Sequence, residues 1–265
     1  MQSFKDFWLY PNYHGGLTFL WELANGYPIT PDLRFQVQVA GTVFGDDAQD
    51  LSPLLGPAHR AWAEECRRVV GPRLGPYYRV QIVGTAHATE WIAPTAQLSK
   101  REFLLLREMM RKEYVMMKHS SGVPVLVYQK ALWGAACTVC TDPITGDVRN
   151  GDCPTCLGTG YDPPFYAPVE TWAEFSPLKR DPGLKRDDRS NEDQQVFGAQ
   201  LIPNPRLDEG DIVFDLGTGK GYFIDKTEHV AEIRRLPVLM QAELREIPTG
   251  RAVYRMFDNA PATII

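Results

Sequence analysis

Cys137, Cys140, Cys153 and Cys156 form two Cys-x-x-Cys pairs with twelve residues between them, and they are four of the five cysteines in the chain. A Cys-x-x-Cys turn aims both sulfurs at one point. Two such turns at this spacing place four thiolates around one tetrahedral zinc ion. Four thiolates close the coordination sphere, so the implied chemistry is a scaffold and not a reaction. A catalytic zinc needs an open position, and the module itself contains no histidine; the nearest preceding one is His119, eighteen residues before Cys137. A redox Cys-x-x-Cys opens a helix after a strand, whereas turn-forming residues surround both pairs here. Disulfides belong to secreted chains, and Met-Gln-Ser-Phe-Lys-Asp-Phe at the start carries neither the basic residues nor the apolar core of a signal peptide. The expectation is a structural Zn2+ held by these four cysteines, in a chain made and kept in a reducing cytosol. No catalytic residue and no other cofactor site is expected, and the chain is not expected to be an enzyme.

The spacer must fold back for the pairs to meet. Asp142-Pro-Ile-Thr-Gly146-Asp and Asn150-Gly151-Asp both read as turns, and Asn-Gly suits a tight hairpin. Gly158 and Gly160, just after Cys156, allow the positive φ angles of a metal knuckle. The run Cys153-x-x-Cys156-x-Gly158-x-Gly160 resembles one repeat of the zinc domain of DnaJ-type chaperones. That domain has four such repeats; here the first pair lacks its glycines and no His-Pro-Asp of a J domain occurs.

Two other patterns invite chemistry and fail on context. Asp215-Leu-Gly217-Thr-Gly219-Lys-Gly221 looks like the first motif of Rossmann-type methyltransferases. The residues that follow, Tyr222-Phe-Ile-Asp-Lys, alternate like a strand, and no strand–helix alternation precedes it. A glycine-rich hairpin turn accounts for it, and Gly-Lys without a following Ser or Thr is no phosphate loop. The five histidines, His14, His59, His87, His119 and His229, show no metal-ligand spacing. His59 and Cys66 would share a face of a predicted helix, as a surface His beside a buried Cys.

The elements that position the cysteines are mainly strands. With 22 Gly and 21 Pro among 265 residues, turns and short strands are favoured over long helices. At this length two or three domains are expected. No run of 18 apolar residues exists, so no membrane span is expected. The net charge is −5, and residues 131–160 contain one basic side chain, Arg149. Both speak against a zinc-ribbon nucleic-acid binder, the remaining alternative for a module of this type. The predicted organisation is mainly β and multidomain. It comprises an N-terminal β-sandwich (1–98), a helix and strand connector (99–130), a zinc module (131–175), a charged loop or arm (176–195) and a C-terminal small β-barrel or sheet (196–265).

Within 1–98, residues 17–23, 34–40 and 77–83 read as strands, and 57–70 as a helix with Trp62, Cys66, Val69 and Val70 on its inner face. The set Trp21, Phe35-Gln-Val-Gln-Val-Ala40, Tyr78-Arg-Val-Gln-Ile and Glu90-Trp91-Ile-Ala-Pro94 resembles a fibronectin type III domain, which implies the sandwich. Ser99-Lys-Arg-Glu102 is a capping box. It opens a helix with Phe103, Leu106, Met110, Tyr114 and Met117 at helical spacing, widened by Leu104, Leu105, Met109 and Met116 to a surface buried on two sides. Residues 123–128 read as a buried strand. Residues 211–216, 221–225, 229–234, 236–245 and 252–256 read as further strands.

From Ser99 onward the chain resembles head–tail connector and neck proteins of tailed bacteriophages. The residues that carry this are the helix 99–119, Gly122-Val-Pro-Val-Leu-Val, the cysteine module and Pro163-Pro-Phe-Tyr-Ala-Pro168. The pattern closes with Gly210-Asp-Ile-Val…Gly221-Tyr-Phe-Ile…Ile233-Arg-Arg-Leu-Pro-Val…Leu244-Arg. The resemblance implies a virion protein made in the host cytoplasm, assembling as a homo-oligomeric ring of six or twelve copies. Its partners would be the portal or adaptor on one side and the tail terminator or tube on the other. DNA would pass without specific binding. A baseplate or tail component of the same virion is the alternative.

Overall fold

In the computed structural model the described residues are 3–12, 16–63, 77–94, 98–142, 145, 147–149, 153–177, 196–204, 206–234 and 236–258. His14, Cys66, Val69, Val70, the Asn150-Gly151 turn and all of the charged stretch beyond 177 lie outside them. The fold is mainly β, and the chain divides into two compact units. One comprises 1–112 with 131–167, the other 113–130 with 168–265.

The first unit opens with β1 (Phe4–Pro11), β2 (Leu17–Leu23), β3 (Phe35–Ala40), β4 (Gln49–Asp50), β5 (Ala61–Ala63) and β6 (Tyr77–Ile82). They form two three-stranded sheets, ordered β1-β2-β5 and β4-β3-β6. The alternating pattern of 34–40 and 77–83 has its expected effect, since Phe35, Val37, Tyr78, Val80 and Ile82 are all buried. Rings from the two sheets meet: Trp21 and Phe35 at 5.4 Å, Phe19 and Tyr78 at 5.2 Å, Phe4 and Phe35 at 6.4 Å. The helix expected from Pro57 does not form over its described part. Residues 57–63 make a turn and then β5, where Ala61–Ala63 pairs with Leu20–Thr18 and Trp62 stacks on Phe19 at 5.5 Å. Aromatic packing on a sheet partner overrides the local helix signal there.

α1 (Lys100–Met116) starts at the predicted box: Glu102 N–H donates to Ser99 Oγ at 3.3 Å, and Ser99 N–H donates to Glu102 Oε2 at 2.8 Å. A single π turn, Met117–Ser121, ends it, with Gly122 N–H donating to Met117 O at 2.8 Å. A Cβ on Gly122 would lie 2.7 Å from that same carbonyl, so the tight exit demands glycine. The expected two-sided burial is not found. Phe103, Leu106, Met110 and Met117 are buried, whereas Leu104, Leu105, Val115 and Met116 are exposed.

β7 (Val123–Tyr128) belongs to the second unit. The chain then enters the first unit, where β8 (Ala135–Ala136) pairs with β9 (Tyr161–Asp162) around the cysteines. It continues in the second unit as β10 (Val169–Pro177), β11 (Val196–Leu201), β12 (Ile212–Asp215), β13 (Lys220–Ile233), β14 (Leu236–Glu246) and the short α2 (Tyr254–Asp258). β10, β11, β14, β13, β12 and β7 close an antiparallel six-stranded barrel. Two of its strands therefore come from 123–128 and 169–177, segments that the sequence assigned to the connector and the zinc module. Inside, Val125, Val127, Ala173, Ala199, Leu201, Val213, Ile224, Met240, Ala242 and Leu244 are buried. Three alanines on neighbouring strands leave room for the Phe175 and Tyr222 rings, 5.4 Å apart, the small-against-large filling a narrow barrel requires.

The Gly-rich motif at 215–221 is the β12–β13 hairpin, as the alternation after it implies. Asp215 Oδ1 accepts from the N–H of Gly217 (2.8 Å) and Thr218 (3.3 Å), and Gly219 turns with φ +70°. Residues 252–256, expected as a strand, instead turn into α2. Phe257 stacks on Phe214 at 4.0 Å and meets Tyr128 at 5.3 Å, while Tyr254 O–H donates to Ile247 O at 2.9 Å. An aromatic lid on the barrel replaces a further ladder.

Candidate metal centre

The cysteine module is built outward from a closed base. Ala131 N–H donates to Pro164 O at 3.0 Å. The Tyr166 hydroxyl accepts from the backbone N–H of Leu132 (2.9 Å) and Trp133 (3.3 Å), and the Trp133 and Tyr166 rings lie 5.0 Å apart. Burial pushes the Tyr166 phenol well above its ordinary range, and the two donated hydrogen bonds pull back against it. Above this base come the β8–β9 rungs, and then Cys137 N–H donates to Gly160 O at 2.8 Å. The two halves of the module are thus zipped together up to the first cysteine.

Each pair sits in a knuckle. Thr141 N–H donates to Cys137 O (3.1 Å), and Leu157 N–H donates to Cys153 O (2.8 Å). After the second pair, Leu157, Gly158 and Gly160 take φ angles of 51°, 84° and 81°. The glycine after the knuckle has a second reason: a Cβ on Gly160 would meet Val148 Cγ2 at 2.6 Å. The spacer folds back through the Thr141–Val148 bridge, Asp142 N–H to Asp147 O (2.9 Å) and Arg149 N–H to Cys140 O (2.9 Å), with an Arg149–Asp142 ion pair outside.

All four cysteines are free and buried. Their Sγ atoms lie within 4.8 Å of one another, and they are the grouping of metal-type ligands found among the described residues. Cys137 and Cys153 sulfurs are 3.9 Å apart, and those of Cys140 and Cys156 are 3.1 Å apart. Sulfurs bonded at about 2.3 Å to one tetrahedral ion stand about 3.8 Å from each other. The cluster meets that requirement with changes in separation of about an ångström or less. The electrostatics divide the site. The backbone N–H groups of Cys156 and Thr155 bring the Cys153 thiol down to about 6, while the hydrogen bond to Cys156, with burial, pushes Cys140 up to about 12. A buried set of four sulfurs this close suits a metal ion, because uncompensated thiolates repel and neutral thiols gain little from such proximity. A cation resolves both.

All four cysteines named from the sequence as ligands come together. What the sequence reading missed is the fastening beneath them. Tyr166 lies in the Pro163–Pro168 stretch, and only its burial and its two backbone donors mark it; no local pattern announces a phenol that reaches back 33 residues. Compared with known proteins, the chain matches no family model, and no curated protein is similar to it in sequence. Among the described residues no helix is long and apolar enough to cross a membrane.

Proposed function

We propose that the ion is zinc and that its role is structural. An all-cysteine, buried, four-ligand set leaves no position for substrate, and zinc is the ion that such sites hold with no redox demand. Zinc here would tie together a loop-rich module that has little core of its own, supplying folding energy directly.

At the scale of the chain we propose a component of a tailed-phage virion, a ring-forming neck subunit between portal and tail. The observation that carries this reading is the order of elements. A capped helix leads into a barrel strand, a metal-clipped module follows, and the chain then completes the barrel. That is the order over which residues 99–265 resemble connector proteins, and the closed barrel gives such a ring a rigid unit to repeat. The two sheets of 1–94, with Trp21 in their shared core, support a β-sandwich of fibronectin type III kind as the outward-facing part.

The test is native mass spectrometry of the purified protein with metal analysis, followed by location in virions. Six or twelve copies with one zinc per chain is the expected result, and retention on heads after tails are stripped is expected with it. A zinc-free monomer overturns the reading. Departure with the baseplate moves the protein to the other end of the tail.

A further inference from the structure

The first unit has a feature that the metal centre does not use. β1 is an outer strand, bonded to β2 on one side only among the described residues. The other sheet extends past β6 into segment 87–92. Ile82 N–H donates to His87 O and Thr89 N–H to Val80 O, each at 2.9 Å, and Tyr78 and Ile92 exchange a pair at 2.9 Å. Among the described residues that segment is the outer edge of its own sheet. Both edges line one groove of about 550 Å³, bordered by Ser3 to Phe7 on one side and by Ala86 to Glu90 and Ile92 on the other.

Two sheet edges with no further strand beyond them among the described residues border one groove, and a sheet edge is where an added strand finds main-chain donors and acceptors. The β1 wall from Ser3 to Phe7 spans about 17 Å of extended chain, enough for a short segment to lie along it. The side chains say which kind. Lys5 is neutralised by Glu22 at 2.8 Å, and His87 rests edge-on against Tyr27 at 5.9 Å. Asp6 and Glu90, both exposed, supply the groove's remaining charge. The pairing register slips between Phe4 and Asp6. A bulge with charged neighbours turns an edge away from a second flat sheet, which disfavours two copies pairing edge to edge. A single strand can follow the local twist.

We propose that this groove takes an extended segment of a partner polypeptide, bearing lysine or arginine, added as a strand along β1. The inference stands apart from the neck reading, because it needs only the two sheets.

The experiment uses the full chain and a seven-residue peptide alternating threonine or valine with lysine. Its controls are the same peptide with glutamate for lysine, and the lysine peptide N-methylated at alternate residues. Hydrogen exchange should show the lysine peptide protecting 3–7 and 86–92, with little protection from either control. Asp6→Lys with Glu90→Lys should weaken binding by about tenfold or more, with an unchanged circular dichroism spectrum and denaturation midpoint as the signs of an intact fold. The proposal is overturned by protection elsewhere or none, or by equal binding of the glutamate or N-methylated peptide. Concentration-dependent self-association that the double substitution abolishes would assign the edge to a second copy instead, and would also overturn it.

Discussion

Cys153 accepts hydrogen bonds from two backbone N–H groups, those of Cys156 and Thr155, so its sulfur is set up to carry negative charge. Serine there keeps the size but forms a far weaker bond to a soft ion. Cys153→Ser is expected to lower metal affinity by more than the ~100-fold that loss of an outer-sphere partner causes, read by competition with a chromogenic chelator. Retention of one tightly held ion per chain would show that the four sulfurs do not act together. Two phenols make a separate prediction about pH. Burial pushes Tyr128 up to about 12 and Tyr166 higher still, while an unfolded tyrosine ionises near 10. The folded chain therefore holds its protons where the unfolded chain has lost them. Stability linked to these groups is whole below about pH 10 and falls as pH rises toward 12 and beyond. In an ultraviolet phenolate titration, Tyr128 and Tyr166 should ionise only together with the loss of folded signal. Titration of all eleven tyrosines near 10 would contradict this.

The elements show where local reading works and where it stops. Gly221 looked like a cofactor glycine; it is a contact glycine, since a Cβ there would lie 2.9 Å from the Phe257 ring. Gly221→Ala is expected to displace the α2 lid and destabilise by about 1–3 kcal/mol, seen as a lower denaturation midpoint with unchanged denaturant dependence. Ser99→Ala should cost α1 about 1 kcal/mol by losing its cap, measurable the same way. The cap, the knuckle glycines and the β12–β13 hairpin were legible because each is written in a few adjacent residues. The exposed Leu105 and Met116 were not, because helical spacing says which residues share a face and is silent on whether a neighbour covers it. Nor was the short helix at 254–258, whose alternation mimics a strand. Its place is fixed by Phe214 and Tyr128, dozens of residues away. β5 was misread for the same reason, since Trp62 answers to Phe19 and not to its own neighbours. The cluster of four cysteines was legible, because a tetrahedral metal site calls for one residue type at a fixed spacing. The Tyr166 fastening was not, because its partners share no pattern.

At the scale of the molecule, each unit is assembled from two separate stretches of chain. The barrel's paired strands come from 123–128 and 169–246, so its ladder is complete without any residue of 131–167, the stretch that holds the cysteines. The module, by contrast, has two-residue strands and a core made largely of its own sulfurs. Segments with few ladder bonds and little apolar core open first. An ion present a thousandfold above its dissociation constant adds about 4 kcal/mol to whatever folds around it. That contribution falls on the module and not on the barrel. Removing the ion with a high-affinity chelator should therefore split the hydrogen-exchange pattern. Amides in 132–142 and 153–162 are expected to lose protection, beginning with Cys137 and Leu157, whose N–H groups bond to Gly160 and Cys153 carbonyls. Amides of Val125, Val213 and Ala242 should keep theirs. Restoring zinc should return protection to the module alone. If the barrel amides instead exchange as fast as the module after chelation, the ion is holding the whole chain together, and the closed ladder is not the self-sufficient scaffold that its strand order implies.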